Sequence, residues 1–460
     1  REGEFGFVII KTPFTCSLMN KTVILVHSLL LTFWWSITDS FSLDKLNNKE
    51  FRRNSGTKSN QLRFLSRLYP VSMTNTESSD DIVKRAQYMN ERAIHESPFT
   101  DDELDGIIRS MRKLYPKGET LDFEKLRTFL SQVAHLSHKD WERTGKNSET
   151  LASIIIPDGI SENARHLFTR IIRDGNWDGA INHVTKRKPM ELPWAVLVTG
   201  VNGIRKTTSM YQDWFPSLLS EALIAPGGFQ SIYDVHSLPC GQTAFFRQLD
   251  HMIATLCNEE FSHLYQLTAE QMENDRDLSK TLIRQYSDLK ASIFLRYRTL
   301  SELLGILLLR EAQERQISCM METSGRDVAM FKYIDEFFPI GYNKLALHFT
   351  INDLSCAQES VDRRMEEEIR VGVAAIHEDD VLRIIDANAG GPYGSEVLPA
   401  VQEASDKVWN DVVMKDDGVG LDWYKATICI NAHPTMPWTA QAIRPDGTLG
   451  TTYTFQNRKI

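Results

Sequence analysis

The 460-residue sequence has few cysteines, and they follow no pattern. None of the six forms a C-x-x-C pair or has the spacing of metal ligands, which indicates a mature protein in a reducing compartment. An excess of basic residues is also absent. The formal net charge of -9 argues against a nucleic-acid scaffold held mainly by phosphate contacts. Without repeats or low-complexity tracts, the chain has the composition of an ordinary globular protein, long enough for two or three domains.

The N-terminal part lacks an apolar run long enough for a stable membrane span. The run Val23–Trp35 follows a lysine and has about the length expected of a signal-peptide core. Residues 41–72 are basic and poor in acids, which is typical of a transit peptide. A signal-like segment 19–40 before this stretch resembles the bipartite leader of algae with secondary plastids, and implies a mature protein in the plastid stroma with no membrane contact. A secreted leader, a signal anchor and a gene start at Met73 stay open as alternatives, and the last implies a cytoplasmic protein.

Three regions follow this leader. Residues 80–185 are predicted to form a helical domain, because Thr100 and Glu103 have the spacing of a capping box and apolar residues then recur at helical intervals. Residues 193–400 alternate apolar strand segments with helical segments, which predicts an α/β domain with a parallel sheet flanked by helices. Residues 401–460 are predicted to form a C-terminal helix and a β-hairpin appendage, since a Pro-Asp-Gly turn separates two β-prone segments.

The apolar segments give the expected positions of the strands and helices in the α/β domain. The run "AVLVTG" is continuous and apolar, as expected of a strand buried on both faces of a parallel sheet. The strands are expected at 195–199, 229–234, 317–322 and 344–351. The helices are expected at 206–222, within 243–315, at 327–336 and at 358–372.

The segment "VTGVNGIRKTTS" nearly matches the phosphate-binding pattern G-x-x-x-x-G-K-[ST]. Gly200, Lys206 and Thr207 fit this pattern, and the segment lies between a predicted strand and a predicted helix, the context that such a loop needs. Lys206 is expected to reach the phosphates of ATP, and the Thr207 hydroxyl is expected to hold Mg²⁺. The residues expected to bind the nucleotide are Gly200, Val201, Asn202, Gly203, Ile204, Arg205, Lys206, Thr207 and Thr208.

Arg205 stands where the pattern has its second glycine. Its side chain either crowds the phosphate and bars the backbone angles of the loop, or points outward and adds positive charge. The first case describes a degenerate loop that has lost its affinity for ATP. A chance glycine-rich turn between strand and helix is a further alternative.

The loop and the residues after the later strands resemble P-loop kinases of the zeta-toxin-like class, which phosphorylate small molecules. This resemblance implies a base on the second strand, where Asp234 stands, and an acid that contacts substrate or the magnesium shell, where Glu322 begins "ETSG". It also implies arginines that close over ATP, a role for Arg363 and Arg364. The structural alternatives are strand-end acids and a solvated helix with Glu–Arg pairs.

A second resemblance is to the signal-recognition-particle GTPases, whose loop is close to "GVNGIRKTT". Their "DTAGR" segment is similar to Glu322–Arg326, and "TIND" at Thr350–Asp353 is similar to their guanine-reading segment. The spacing of these segments argues against membership, and Ile351 stands where that family has its guanine-reading lysine.

The sequence therefore predicts an ATP-dependent phosphotransferase that uses Mg²⁺ and acts on a small molecule such as a nucleotide sugar. Its predicted catalytic residues are Asp234, Lys206, Glu322, Arg363 and Arg364. The expected partners are the nucleotide and a small-molecule acceptor, with no nucleic acid. The alternatives are a non-catalytic nucleotide-binding or scaffold protein with a degenerate loop, and a GTPase-like switch.

Overall fold

The structure is a computed structural model that describes residues 80–114, 121–155, 175–274, 278–338, 340–388, 390–415 and 418–456. The predicted leader segments 19–40 and 41–72 and the alternative start at Met73 lie outside the described residues.

A seven-stranded sheet forms the centre of the fold. Its strands are β1 (Trp194–Thr199), β2 (Phe245–Arg247), β3 (Cys319–Glu322), β4 (Asn343–Ile351), β5 (Tyr424–Asn431), β6 (Thr439–Ile443) and β7 (Tyr453–Thr454). The strand order is β2-β3-β1-β4-β5-β6-β7. The first five strands pair in parallel, whereas β6 and β7 are antiparallel to their neighbours. The predicted α/β class is confirmed, and the sheet is mostly parallel where the sequence predicts a parallel one.

The described residues contain fourteen α-helices, and they surround the sheet. They are α1 (Asp80–Ile94), α2 (Asp101–Leu114), α3 (Phe123–Val133), α4 (Trp141–Ile155), α5 (Trp177–Val184), α6 (Lys206–Met210), α7 (Phe215–Ala222), α8 (Leu249–Leu256), α9 (Asn258–Asn274), α10 (Lys280–Glu314), α11 (Ala329–Phe337), α12 (Leu354–His377), α13 (Val381–Ala387) and α14 (Leu398–Val408). All six residues of β1 are buried, as expected of a central parallel strand. None of the helices in these ranges is long and apolar enough to cross a membrane.

The N-terminal helices pack against the long helix α10. The capping box at the start of α2 is present, since Thr100 N–H donates to Glu103 Oε2 at 2.8 Å and Glu103 N–H donates to Thr100 Oγ1 at 3.2 Å. The Glu103 carboxylate also accepts hydrogen bonds from Arg296 of α10 at 2.9 and 3.0 Å, and both side chains are buried. Helices α1 and α4 lie along α10 as well. The helices of the predicted domain 80–185 thus belong to the same compact unit as the sheet.

The C-terminal strands complete the main sheet. The sequence predicts an appendage at 401–460, yet β5 pairs in parallel with β4 over seven residues from Tyr424 to Ile430. Strands β6 and β7 then extend the same sheet. The alternating burial of β5 explains its position, because one face packs inward along the whole strand.

The second strand differs from the one that the sequence predicts. Residues 229–234 form a loop, in which Gln230 makes only an isolated bridge with Ile224. The second strand is instead β2, at the start of a stretch predicted to be helical from residue 243. Pairing with β3 overrides the helical spacing of these apolar residues. The predicted helix 206–222 is divided into α6 and α7.

Candidate functional site

The loop after β1 approaches its neighbours too closely for side chains at its glycines. Gly200 has a φ of 125°, and a Cβ added there would lie 2.6 Å from the carbonyl oxygen of Phe349 on β4. Gly203 has a φ of 84°, and its Cβ would lie 2.6 Å from the carbonyl oxygen of Ala357 on α12. Both positions therefore need glycine for conformation and for space.

Free backbone N–H groups line this loop. Among the described residues, none accepts a hydrogen bond from the N–H groups of residues 201 to 205. Val201 and Ile204 are buried, whereas Asn202 and Gly203 are partly exposed. Successive unpaired amides in a tight loop form an anion-binding concavity. The loop is suited to bind phosphate oxygens.

Lys206 lies at the centre of the site. Its side chain is 3% exposed, and its ammonium donates hydrogen bonds to Gly200 O at 2.7 Å and Val201 O at 2.6 Å. The same Nζ forms an ion pair with Glu322 Oε1 at 3.0 Å. The Lys206 ammonium therefore links two carbonyl groups of the loop and lies beside the Glu322 carboxylate.

Glu322 joins the loop to the end of β3. It is opposite Val198 in the register of β1 and β3, so the parallel pairing brings the end of β3 to the start of the loop. Its Oε2 accepts a hydrogen bond from Thr207 Oγ1 at 3.1 Å. Lys206, Thr207 and Glu322 thus meet at the carboxyl edge of the sheet, where sites of α/β proteins form. Thr208 is exposed beside them.

Arg205 adopts the backbone conformation of the glycine that it replaces. Its φ of 62° and ψ of 30° lie in the left-handed region, which costs about 1–2 kcal/mol for a residue with a Cβ. The guanidinium lies over two aromatic rings, with Cζ 4.2 Å from the centroid of Trp438 and 5.6 Å from that of Phe455. Such cation–π contacts contribute about 0.5–2 kcal/mol, which is comparable to the backbone cost. Arg205 therefore adopts the backbone angles that the loop needs, and its side chain packs on two aromatic rings.

Asp234 does not belong to this site. Its carboxylate pairs with Lys188 Nζ at 2.9 Å and caps a 3₁₀ turn, Val235–Ser237. The neighbouring Ser237 O accepts a hydrogen bond from Trp194, the first residue of β1. Tyr233 likewise contacts Tyr424, the first residue of β5. Asp234 thus lies at the amino edge of the sheet, opposite the loop, because residues 229–234 do not form the second strand.

Asp250 is a second acid at this edge of the sheet, and the sequence does not predict it as a site residue. It follows β2 in the first turn of α8, at the same carboxyl edge as the loop. Burial raises its pKa from 3.8 to about 6, Lys290 opposes this effect and Glu322 adds to it. The residue as a whole is partly exposed to solvent. The available signal was an acid four residues after the apolar stretch "AFF", which the helical spacing of the apolar residues obscured.

A buried polar cluster lies beside Asp250. Lys290 Nζ pairs with Glu368 Oε2 at 2.6 Å, and burial lowers the pKa of Lys290. Glu368 Oε2 also accepts a hydrogen bond from Tyr286 at 3.4 Å, whereas its Oε1 is buried and has no hydrogen-bond partner among the described residues. Buried charges with one unpaired oxygen, Glu368 Oε1, therefore lie close to Asp250.

The two predicted arginines of α12 differ in their surroundings. Arg364 donates a hydrogen bond to Gly391 O at 2.8 Å, and its Nε lies 3.5 Å from Glu368 Oε1. Arg363 is exposed and makes no ion pair with any residue that the structure describes. It is close enough to Arg205 to lower the pKa of Arg205, an effect second to that of burial.

A magnesium site built from protein groups alone is not present in the described ranges, where no three His, Cys, Asp or Glu side chains cluster as metal ligands. Mg²⁺ in phosphoryl-transfer sites is usually held by one or two protein oxygens together with phosphates and waters. Two protein oxygens meet at the carboxyl edge of the sheet, since Thr207 Oγ1 donates a hydrogen bond to Glu322 Oε2 at 3.1 Å.

Comparison with known proteins adds no assignment, because neither a family model, a curated protein nor a solved structure matches the chain.

Proposed function

We propose that the protein is an ATP-dependent phosphotransferase of the zeta-toxin-like P-loop class, which transfers phosphate to a hydroxyl of a small molecule. The observation that carries the proposal is the meeting of Lys206, Thr207 and Glu322 in a loop of unpaired amides, with Asp250 at the same edge of the sheet.

The residues have distinct roles in this proposal. The loop amides and Lys206 bind the phosphates of ATP, and Thr207 and Glu322 hold Mg²⁺. Asp250 accepts the proton of the acceptor hydroxyl, and a pKa near 6 suits a base that works at neutral pH. Arg363 or Arg364 neutralises charge on the transferred phosphoryl group.

The position of Asp250 supports the kinase proposal over its rivals. The resemblance implies a base on the second strand, and Asp250 lies three residues after the end of β2. The alternative of a degenerate loop requires the Arg205 side chain to crowd the phosphate. The guanidinium instead lies over the ring of Trp438, which does not support this alternative. The GTPase alternative gains no support, because Ile351, which ends β4, stands where that family has its guanine-reading lysine. A nucleotide sugar as the acceptor and plastid localisation are parts of the proposal that rest on resemblance alone.

The proposal is tested by transfer of labelled phosphate from γ-labelled ATP to a panel of nucleotide sugars, using the full chain. We expect Asp250→Asn to lose at least about 100-fold in transfer rate, as is typical for removal of a general base. ATP binding should be retained, since in this proposal the loop amides and Lys206 bind the phosphates, whereas Asp250 contacts the acceptor hydroxyl.

The matched control is Asp234→Asn, the same change at the opposite edge of the sheet. This variant should transfer phosphate at the parental rate. Equal losses in both variants, or full activity of Asp250→Asn, would contradict the proposed role of Asp250.

A further inference from the structure

The last described residues of the chain lie across the segment that follows the phosphate loop. We call residues 453–456 the C-terminal strap. Trp214 donates a hydrogen bond to Thr454 O at 3.1 Å and stacks on Tyr453 with ring centroids 5.4 Å apart. Gln456 N–H donates to the buried Gln212 side chain at 3.1 Å. The strap is thereby fixed to the segment between α6 and α7.

The strap and Trp438, the residue before β6, also hold the side chain of Arg205. Phe455 N–H donates to Trp438 O at 3.2 Å, so the two rings under the guanidinium belong to paired backbone segments. Both rings are more than nine-tenths buried. Among the described residues, no carboxylate pairs with Arg205, and the two rings are its principal partners. The position of this guanidinium therefore depends on the C-terminal residues.

Arg205 directly precedes Lys206, so its backbone angles determine where Lys206 begins α6. A glycine reaches a φ of about 60° without help, because it has no Cβ. An arginine at the same angles is strained and relaxes toward negative φ unless other contacts hold it. Relaxation of φ at this residue would move the loop amides relative to the Lys206 ammonium, which bonds to Gly200 O and Val201 O of the same loop.

We propose that Arg205 is a positioning residue, whose contact with Trp438 and the C-terminal strap holds the phosphate loop in the turn that receives the nucleotide phosphates. The contact takes the place of the conformational freedom that glycine supplies in other loops of this pattern. This inference rests on the proposed nucleotide-binding function, and it assigns the C-terminal strands a part in that site.

The test is a double-mutant cycle read by the Kd for Mg-ATP of the full chain. Arg205→Ala keeps the left-handed strain and loses the contact, so we expect it to weaken binding about tenfold, equal to about 1.4 kcal/mol. Arg205→Gly loses the contact and also the strain, so its Kd should stay within about threefold of the parent. We therefore expect Arg205→Gly to bind Mg-ATP more tightly than Arg205→Ala does.

Trp438→Leu should weaken binding about fivefold when Arg205 is present and leave the Kd within about twofold when position 205 is glycine. Phe455→Leu is a second, smaller truncation of the same contact, in case Trp438→Leu lowers the yield of folded protein. Trp141→Leu is the matched control, because Trp141 is equally buried and packs on Tyr333, whereas Trp438 packs on Arg205. It should leave the Kd of both backgrounds unchanged.

The outcomes separate this inference from the proposed function. Parent protein that binds neither Mg-ATP nor Mg-GTP overturns both. Parent protein that binds Mg-ATP, with equal affinities for Arg205→Ala and Arg205→Gly or with the same Trp438→Leu loss in both backgrounds, overturns only the positioning role.

Discussion

Two aspartates at opposite edges of the sheet show how surroundings decide chemistry at the scale of single residues. The pKa of Asp234 is lowered by its hydrogen bond with Lys188, and its carboxylate is about half exposed. The pKa of Asp250 is raised to about 6 by burial. Lowering the pKa makes a carboxylate a weaker base, whereas a pKa closer to the working pH makes a more effective one. The two residues have the same side chain and opposite suitability for proton transfer.

The raised pKa of Asp250 predicts a pH-dependent cost to stability. The folded state binds the proton of Asp250 more tightly than the unfolded state, so its contribution to stability falls as the pH rises from about 4 to about 6. Asp250→Asn removes this cost. We expect its melting temperature to exceed that of the parent by an amount that is small near pH 4 and grows until pH 6 to 7.

Thermal unfolding at several pH values between 4 and 8 measures this effect. Asp234→Asn is the control, and its difference from the parent should be zero or of the opposite sign above pH 4, because the pKa of Asp234 is lowered. A constant difference between Asp250→Asn and the parent over the whole range would show that Asp250 has an ordinary pKa.

At the scale of elements, β1 and the loop after it were predictable, and the strand before Asp250 was not. The run "AVLVTG" and the glycines, Lys206 and Thr207 are local signals, and local sequence decides them. The same holds for Glu322, which ends a short apolar strand. In contrast, β2 has only three residues, and its apolar residues fit a helix as well as a strand. Its pairing with β3 involves residues more than 70 positions away, which no local pattern contains.

The packing of the loop against α12 predicts the effect of a single methyl group. Gly203→Ala places a Cβ 2.6 Å from Ala357 O at a φ of 84°. We expect it to lower the free energy of unfolding by about 2–4 kcal/mol through strain and overlap, and to abolish detectable Mg-ATP binding. Chemical denaturation and calorimetric titration measure the two effects.

Gly228→Ala is the matched control for this variant. Gly228 has the same φ of 84°, but a Cβ added there has no atom within 4 Å. It should therefore show only the backbone cost of about 1 kcal/mol and leave nucleotide binding unchanged. Equal effects of the two substitutions would mean that the close contact between α12 and the loop does not contribute to the free energy of unfolding.

At the scale of the whole molecule, both ends of the described chain serve the central sheet and its site. The helices α1, α2 and α4 pack on α10, which also carries Lys290, a charge that acts on Asp250. The C-terminal strands extend the sheet and provide the rings under Arg205. The sequence divided these parts into separate regions, because capping boxes and turns mark local boundaries and carry no information about pairing across the chain. The Arg205 contact with Trp438 spans more than 230 residues, so it could not be read from the loop itself.

The central claim is that the loop after β1 binds Mg-ATP through Lys206. Isothermal titration calorimetry of the full chain with Mg-ATP tests it most directly, with Lys206→Ala as the variant and Lys188→Ala, at the opposite edge of the sheet, as the control. We expect a parental Kd between about 1 µM and 1 mM. Lys206→Ala should weaken the affinity for Mg-ATP at least about tenfold, and Lys188→Ala should leave it unchanged. Absence of binding by the parent, or equal affinities of the parent and Lys206→Ala, would contradict it.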